Sequence, residues 1–219
     1  LPWLFEYPGI LPTTSTLESK AKGLGLVTAT PEIDGVTRRV PLVANVQSKL
    51  YPSFALELLR VAVQDPSYQI KTEEQGLAWV RVPNYPLMNT DANGRIYLNW
   101  NTNFYKQTAS KFINDPIEAP FVIFGTTAEG ITNPVPTPAG AKYPHEIQAN
   151  ILHNLVTGTA PSSPAWAQAV EIIGTLIILV LLVFASRSVF LSLPVLALVV
   201  GGSLYGTWYA YQSSYLFDV

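Results

Sequence analysis

IIGTLIILVLLVFAS, residues 172–186, is an unbroken run of fifteen residues without a charge, opened by Glu171 and closed by Arg187. Extended back to Trp166, it makes a helix of about 21 residues and roughly 30 Å, which matches the hydrocarbon thickness of a bilayer. After Arg187, residues 188–217 are again wholly uncharged, and a second span is drawn at 189–211. A connector as short as Ser186-Arg187-Ser188 forces the two spans to run antiparallel, so the region before Trp166 and the tail 212–219 share one side of the membrane. Trp166 at one end and Trp208, Tyr209, Tyr211 and Tyr215 at the other place an aromatic belt at that shared interface. Arg187 at the opposite tip, read by the positive-inside tendency, predicts 187–188 as a cytoplasmic turn and residues 1–165 as extracytoplasmic. Gly202 and Gly206 form a G-x-x-x-G spacing, the expected helix-packing position for a neighbouring span. A helical hairpin buried in a large soluble protein is the weaker alternative, given the uninterrupted apolar lengths.

Working outward from the spans, the rest of the chain has a different solvent. Of 219 residues, 48% are apolar and only 13% charged, and seventeen of the eighteen prolines precede residue 166. The net charge of −2 and the lack of a basic stripe exclude nucleic acid as the main partner, since phosphate binding requires clustered cations. With no cysteine, disulfides, thiol catalysis and cysteine-ligated metals are excluded. Strands are expected near 23–28, 40–46, 77–82, 95–99 and 121–125, and helices over 53–63 and 145–156. Pro52 introduces the first helix, and Gly158 follows the second. The expected fold is α/β, a mixed or mostly parallel sheet with flanking helices, followed by a transmembrane helical hairpin.

FVIFGTTAEG (121–130) reads as a short apolar strand running into a polar end, where open α/β sheets hold ligands. Gly125, Thr126, Thr127 and Glu129 are the ligand-binding candidates, through close backbone approach, hydroxyls, free N–H groups and one carboxylate; a purely local role for the threonines is the competing reading. In DGVTRRVPL (34–42) a turn delivers Arg38 and Arg39 into a strand, where only one of them can face inward. The inward arginine needs a carboxylate, Glu57 or Asp34, and a structural ion pair is preferred over a ligand-binding role. His145 and His153 lie about 80° apart on a helix and make no metal site. No nucleophile elbow, phosphate loop, dinucleotide loop or zinc-protease pair is present, so no catalytic residue, metal or cofactor is expected.

The segments DGVTRRVPL (34–42), YPSFALELLR (51–60), GRIYLNW (94–100), FVIFGTTAEG (121–130) and EIQANILHNLVTGT (146–159), followed by spans, together resemble the second type of CHASE domain. That domain is the extracytoplasmic sensor of bacterial receptors with cyclase or kinase output, commonly with one span before it and three after. The resemblance implies a chain truncated at both ends, beginning partway into the sensor and stopping after two following spans. Pro144-His145-Glu146 departs from a glycine that is common before the Glu. The reading is therefore the sensor and membrane portion of an inner-membrane receptor, in contact with lipid, a second copy or other membrane subunits, and an unknown small ligand or extracytoplasmic protein. A non-catalytic structural subunit of a larger membrane complex is the rival.

Overall fold

A computed structural model describes residues 3–100, 102–163, 166–185, 189–212 and 214–216. The proposed cytoplasmic turn with Arg187, and Asp218 of the tail, lie outside the described residues. The chain divides into two compact units, one ending at Ala160 and one beginning at Pro161.

In the first unit the elements follow as β1 (Glu6–Tyr7), α1 (Ser15–Glu18), β2 (Arg39–Pro41), β3 (Val43–Val46), β4 (Lys49–Pro52) and α2 (Phe54–Ala62). Then come β5 (Gln69–Glu73), β6 (Gly76–Arg81), β7 (Met88–Asn89), β8 (Arg95–Tyr97), α3 (Ala109–Asn114), β9 (Val135–Thr137), β10 (Gly140–Lys142) and α4 (Pro144–Thr157). Four small sheets result: β1-β3-β4, β2-β8, β5-β6-β7 and β9-β10. β1 runs parallel to β3 and the other ladders are antiparallel, so of the two sheet types expected, the mixed one forms.

α2 begins where Ser53 adopts extended backbone and its hydroxyl accepts from the Leu56 N–H at 3.3 Å, satisfying one of the orphan donors of the first turn. α4 begins at Pro144, whose missing N–H costs nothing there, and the Glu146 carboxylate accepts from the Tyr143 N–H at 2.7 Å. It ends at Gly158, left-handed at φ 71°, whose N–H returns to the Asn154 carbonyl. Ala55, Leu56 and Leu59 of α2 and Ile147, Ile151 and Leu155 of α4 are buried with Val40, Leu42, Val80 and Ile96 in one apolar core.

Three strand expectations change. The 40–46 strand breaks at Leu42, after Pro41, so that β2 pairs with β8 while β3 turns to β1 and β4; Pro41 has no N–H to continue a ladder. The 23–28 strand reduces to one parallel bridge, Leu26 to Ser53, with Leu26 bonding Pro52 and Phe54. Residues 121–125 form no strand. Phe121 and Ile123 pack against the core, whereas Val122 and Phe124 are exposed, so the period-two alternation is present without a neighbouring strand to complete a ladder.

The second unit contains α5 (Ala167–Ala185) and α6 (Val189–Gln212). Trp166 meets Tyr215 edge-on at 5.6 Å, and Ser162 bridges Tyr215 through Ser214 and Leu216, so the start of α5 and the end of α6 lie together and the helices are antiparallel. Their apolar windows have mean hydropathy 2.5 and 1.3, and only 6% and 0% of each window is buried. Both are long and apolar enough to cross a membrane, and within this chain they are not a protein-covered core. Thr175, Ser203 and Thr207 donate to carbonyls of their own helices, which satisfies their hydroxyls without an outside partner. Pro194 lies inside α6.

Candidate functional site

Residues 125–127 have no ladder to join because the preceding segment forms no strand and lies over the core by Phe121 and Ile123, and they lead into an exposed loop. Thr126 Oγ1 accepts from the Ala128 N–H at 3.3 Å, and the Thr127 carbonyl accepts from the Tyr143 hydroxyl at 3.5 Å. Glu129 is exposed and has no partner among the described residues. Gly125 is confined by contact with His145: a Cβ there would fall 2.1 Å from His145 Cγ. The imidazole therefore occupies the close approach that glycine allows, and it stacks on Tyr143 at 5.9 Å with an interplanar angle of 17°.

Tyr143 and His145, at the start of α4, thus join the 125–127 loop, and the adjacent Glu146 pairs with Lys106. Partial burial raises the Glu146 pKa, but the Lys106 ammonium and the Tyr143 N–H outweigh it and hold the carboxyl below its ordinary value. The Glu three residues after Tyr143 is a local signal that could have marked this helix start; its distant partner, Lys106, carries no local signal. What the loop offers chemically is a set of exposed hydroxyls and backbone N–H groups flanked by a stacked Tyr-His pair, suited to hydrogen bonding and lacking a nucleophile-base pair.

Arg38 and Arg39 lie elsewhere in the unit, and no hydrogen bond, ion pair or ring contact joins them to 125–129 among the described residues. The exposed Arg38 makes a two-pronged bond to Asp34, 3.0 and 2.6 Å. The inward Arg39 grips Glu32 at 2.6 and 2.9 Å and reaches Asp91 at 3.1 Å, with its guanidinium 5.3 Å over the Tyr97 ring. Asp91 also accepts from Arg95 at 2.8 Å. Of the two carboxylates expected for the inward arginine, neither serves: Asp34 takes Arg38, and Glu57 is held by Arg60 one turn along α2. Glu32 and Asp91 were missed because one precedes the turn and the other is brought in by the β2-β8 pairing.

The hydrogen bond from Arg39 holds the Glu32 carboxyl below its usual value, and Arg38 holds Asp34 down at about 2. Depressed acids stabilise the fold above their unfolded values and lose that contribution as pH falls through the folded ones. Acid unfolding is therefore expected to steepen below the ordinary Glu value of 4.5, and Arg39→Met should flatten that limb in a pH series of thermal unfolding. An unchanged limb would remove Glu32–Arg39 as its source.

In α6, Cβ atoms built at Gly201, Gly202 and Gly206 meet nothing within 4 Å, so this small-residue face does not pack on α5. Among the described residues, no cluster of three or more metal-ligating side chains is found.

A family model described as the CHASE2 domain matches residues 6–185. No curated protein and no solved structure matches the chain.

Proposed function

Because this chain belongs to the CHASE2 domain family, whose domains are extracytoplasmic sensors of signal-transduction receptors, we propose that it is the sensor and membrane portion of a bacterial inner-membrane receptor with adenylate cyclase or kinase output. The observation that carries the reading is the family match over residues 6–185, which takes in the first unit and α5, together with two exposed apolar helices of spanning length. In this reading residues 1–165 face outward, 166–186 and 189–211 span, 187–188 turn in the cytoplasm, and the tail 212–219 returns outside. The partners are lipid, a second copy of the chain packed through the Gly202 and Gly206 face, and an extracytoplasmic ligand or protein. α4 is the last element before the second unit in the chain, so a ligand that shifts it acts on the segment leading into the membrane. Switching a 99:1 resting equilibrium nearly completely needs about 5.5 kcal/mol of differential affinity between the two states.

The loop residues Gly125, Thr126, Thr127 and Glu129 are proposed as one input. Converting Thr126 and Thr127 to valine together is expected to blunt the response of a downstream reporter while leaving the unfolding midpoint in place; an unaltered response at unaltered stability would remove the loop from the ligand path. Arg38 and Arg39 are proposed to act on ligand only by exchanging their carboxylate partners, since both guanidiniums are already engaged.

Sidedness is directly testable because the chain has no cysteine. Single substitutions Ser110→Cys and Ser188→Cys are expected to react with a membrane-impermeant maleimide in opposite preparations, the first in spheroplasts and the second only in inverted vesicles. The reverse pattern overturns the topology, and labelling of both from one side overturns the spans. The mass of the intact cellular protein separates receptor from structural subunit: a much longer polypeptide with an enzymatic domain supports the former, and a chain ending near residue 219 in a stoichiometric complex supports the latter.

A further inference from the structure

Between the 27–29 segment, β9 and the first turns of α4 lies a cavity of about 240 Å³, open to solvent on the side of the exposed Val27 and bordered by Val27, Thr28, Ala29, Val135, Ile147 and Gln148. We propose that it binds an uncharged, largely apolar small molecule whose oxygen accepts a hydrogen bond from the Gln148 amide.

Gln148 is 2% exposed, so its polar atoms need partners within the protein or in the cavity. Its Oε1 accepts from the Ala55 N–H at 3.1 Å. An N–H can be met only by an acceptor, so this bond fixes the orientation of the amide and commits Oε1 to the start of α2. The Nε2 group is left as a donor with no partner among the described residues. An acceptor that reaches it from the cavity would complete the hydrogen bonding of the amide. Thr28 adds a hydroxyl that likewise has no partner among the described residues, and the remaining lining is hydrocarbon.

The ligand class follows from this lining. No charged side chain borders the cavity, so an ion would lose its hydration without a counter-charge. The volume equals about eight waters at about 30 Å³ each, just under the pockets that hold drug-sized ligands; a six-membered ring with one carbonyl oxygen is of the right size. A fully apolar guest would leave the Gln148 donor unmet. Because the same amide ties α4 to the N-terminus of α2, occupancy bears on how those helices pair. As a signal input the cavity rests on the sensor reading above, whereas binding itself does not.

The probe is cyclohexanone, titrated into the full chain in lipid nanodiscs with methyl-labelled alanine, valine and isoleucine. Saturable shifts are expected at Val27, Ala29, Val135 and Ile147. Methylenecyclohexane, of the same shape without the oxygen, should bind about fivefold more weakly, and cyclohexylammonium should not bind. Ala29→Leu, which fills the cavity, should abolish the shifts; should that variant fail to fold, Val135→Leu serves the same purpose. Equal affinity for ketone and hydrocarbon overturns the role of Gln148. Shifts that never saturate, or that spread to exposed methyls such as Val122, overturn the site and leave a cavity holding water only. Either failure is distinguishable from failure of the receptor reading, which the maleimide pattern reports independently.

Discussion

Ile151→Ala is expected to lower the unfolding free energy of the first unit by about 2–5 kcal/mol, a large share of the roughly 5–15 kcal/mol that holds a typical domain together. Ile151 is fully buried on the face of α4 that meets α2 and the strands. The loss belongs in the upper part of that range because the walls of the resulting cavity cannot relax inward. Asn154, also fully buried, accepts from the Asn99 N–H at 3.0 Å and donates to the Asn150 carbonyl at 2.7 Å, which anchors α4 on the chain that leaves β8. Collapse around a truncated Ile151 would stretch those bonds and strand a buried amide. Chemical unfolding followed by tryptophan fluorescence measures the loss, with Ile113→Ala, at a position 79% exposed, expected to change little as a control. Equal effects for the two substitutions would show that α4 does not pack as described.

Gly76→Val is expected to cost about 3–5 kcal/mol, from a backbone region closed to side chains and from forced overpacking. Gly76 opens β6 at φ 143°, and a Cβ there would lie 2.4 Å from the Ala92 carbonyl oxygen and 2.6 Å from Ala92 Cα. That same carbonyl receives the Leu77 N–H at 3.0 Å. The side chain would therefore strike the acceptor that fixes β6, and the neighbouring Leu77, buried at 4% exposure, would leave the core with it. Gly9, around which an added Cβ meets nothing, provides the comparison: Gly9→Ala should be nearly neutral. A loss under about 1 kcal/mol for Gly76→Val, within the range of an ordinary surface change, would contradict the close approach of residues 76 and 92.

The parts legible in the sequence were those whose hydrogen bonds are local. α2 and α4 were found within a residue or two of their ends because a helix satisfies its N–H groups four residues back and repeats its apolar face at that period, and because Pro52 and Gly158 mark where the first starts and the second stops. The spanning lengths of α5 and α6 were equally plain, since freedom from charge over a membrane thickness is a property of composition along the chain. The family resemblance, carried by five segments in order, was likewise readable before any coordinates.

Strands were harder. FVIFG has every local mark of a buried strand, yet Val122 and Phe124 are exposed and no ladder forms, because a strand exists only where a second strand supplies its acceptors and donors. β5, exposed at every residue but Ile70 and mostly charged or polar in sequence, gave too weak a pattern to find, but β6 pairs with it along its length. The same dependence on a distant partner governed the site. DGVTRRVPL showed that one arginine must face inward; only the pairing of β2 with β8 put Asp91 beside Arg39.

What the amino-acid order determined by itself was therefore the division between aqueous and apolar regions, the two principal helices and the family, all set by interactions within a few residues or by composition. Folding in three dimensions decided which strands pair, which carboxylates hold the arginines, that His145 fills the approach beside Gly125, and that Gln148 borders a cavity. Those outcomes depend on groups tens of residues apart meeting at hydrogen-bond distance, and no local pattern in the chain encodes that meeting.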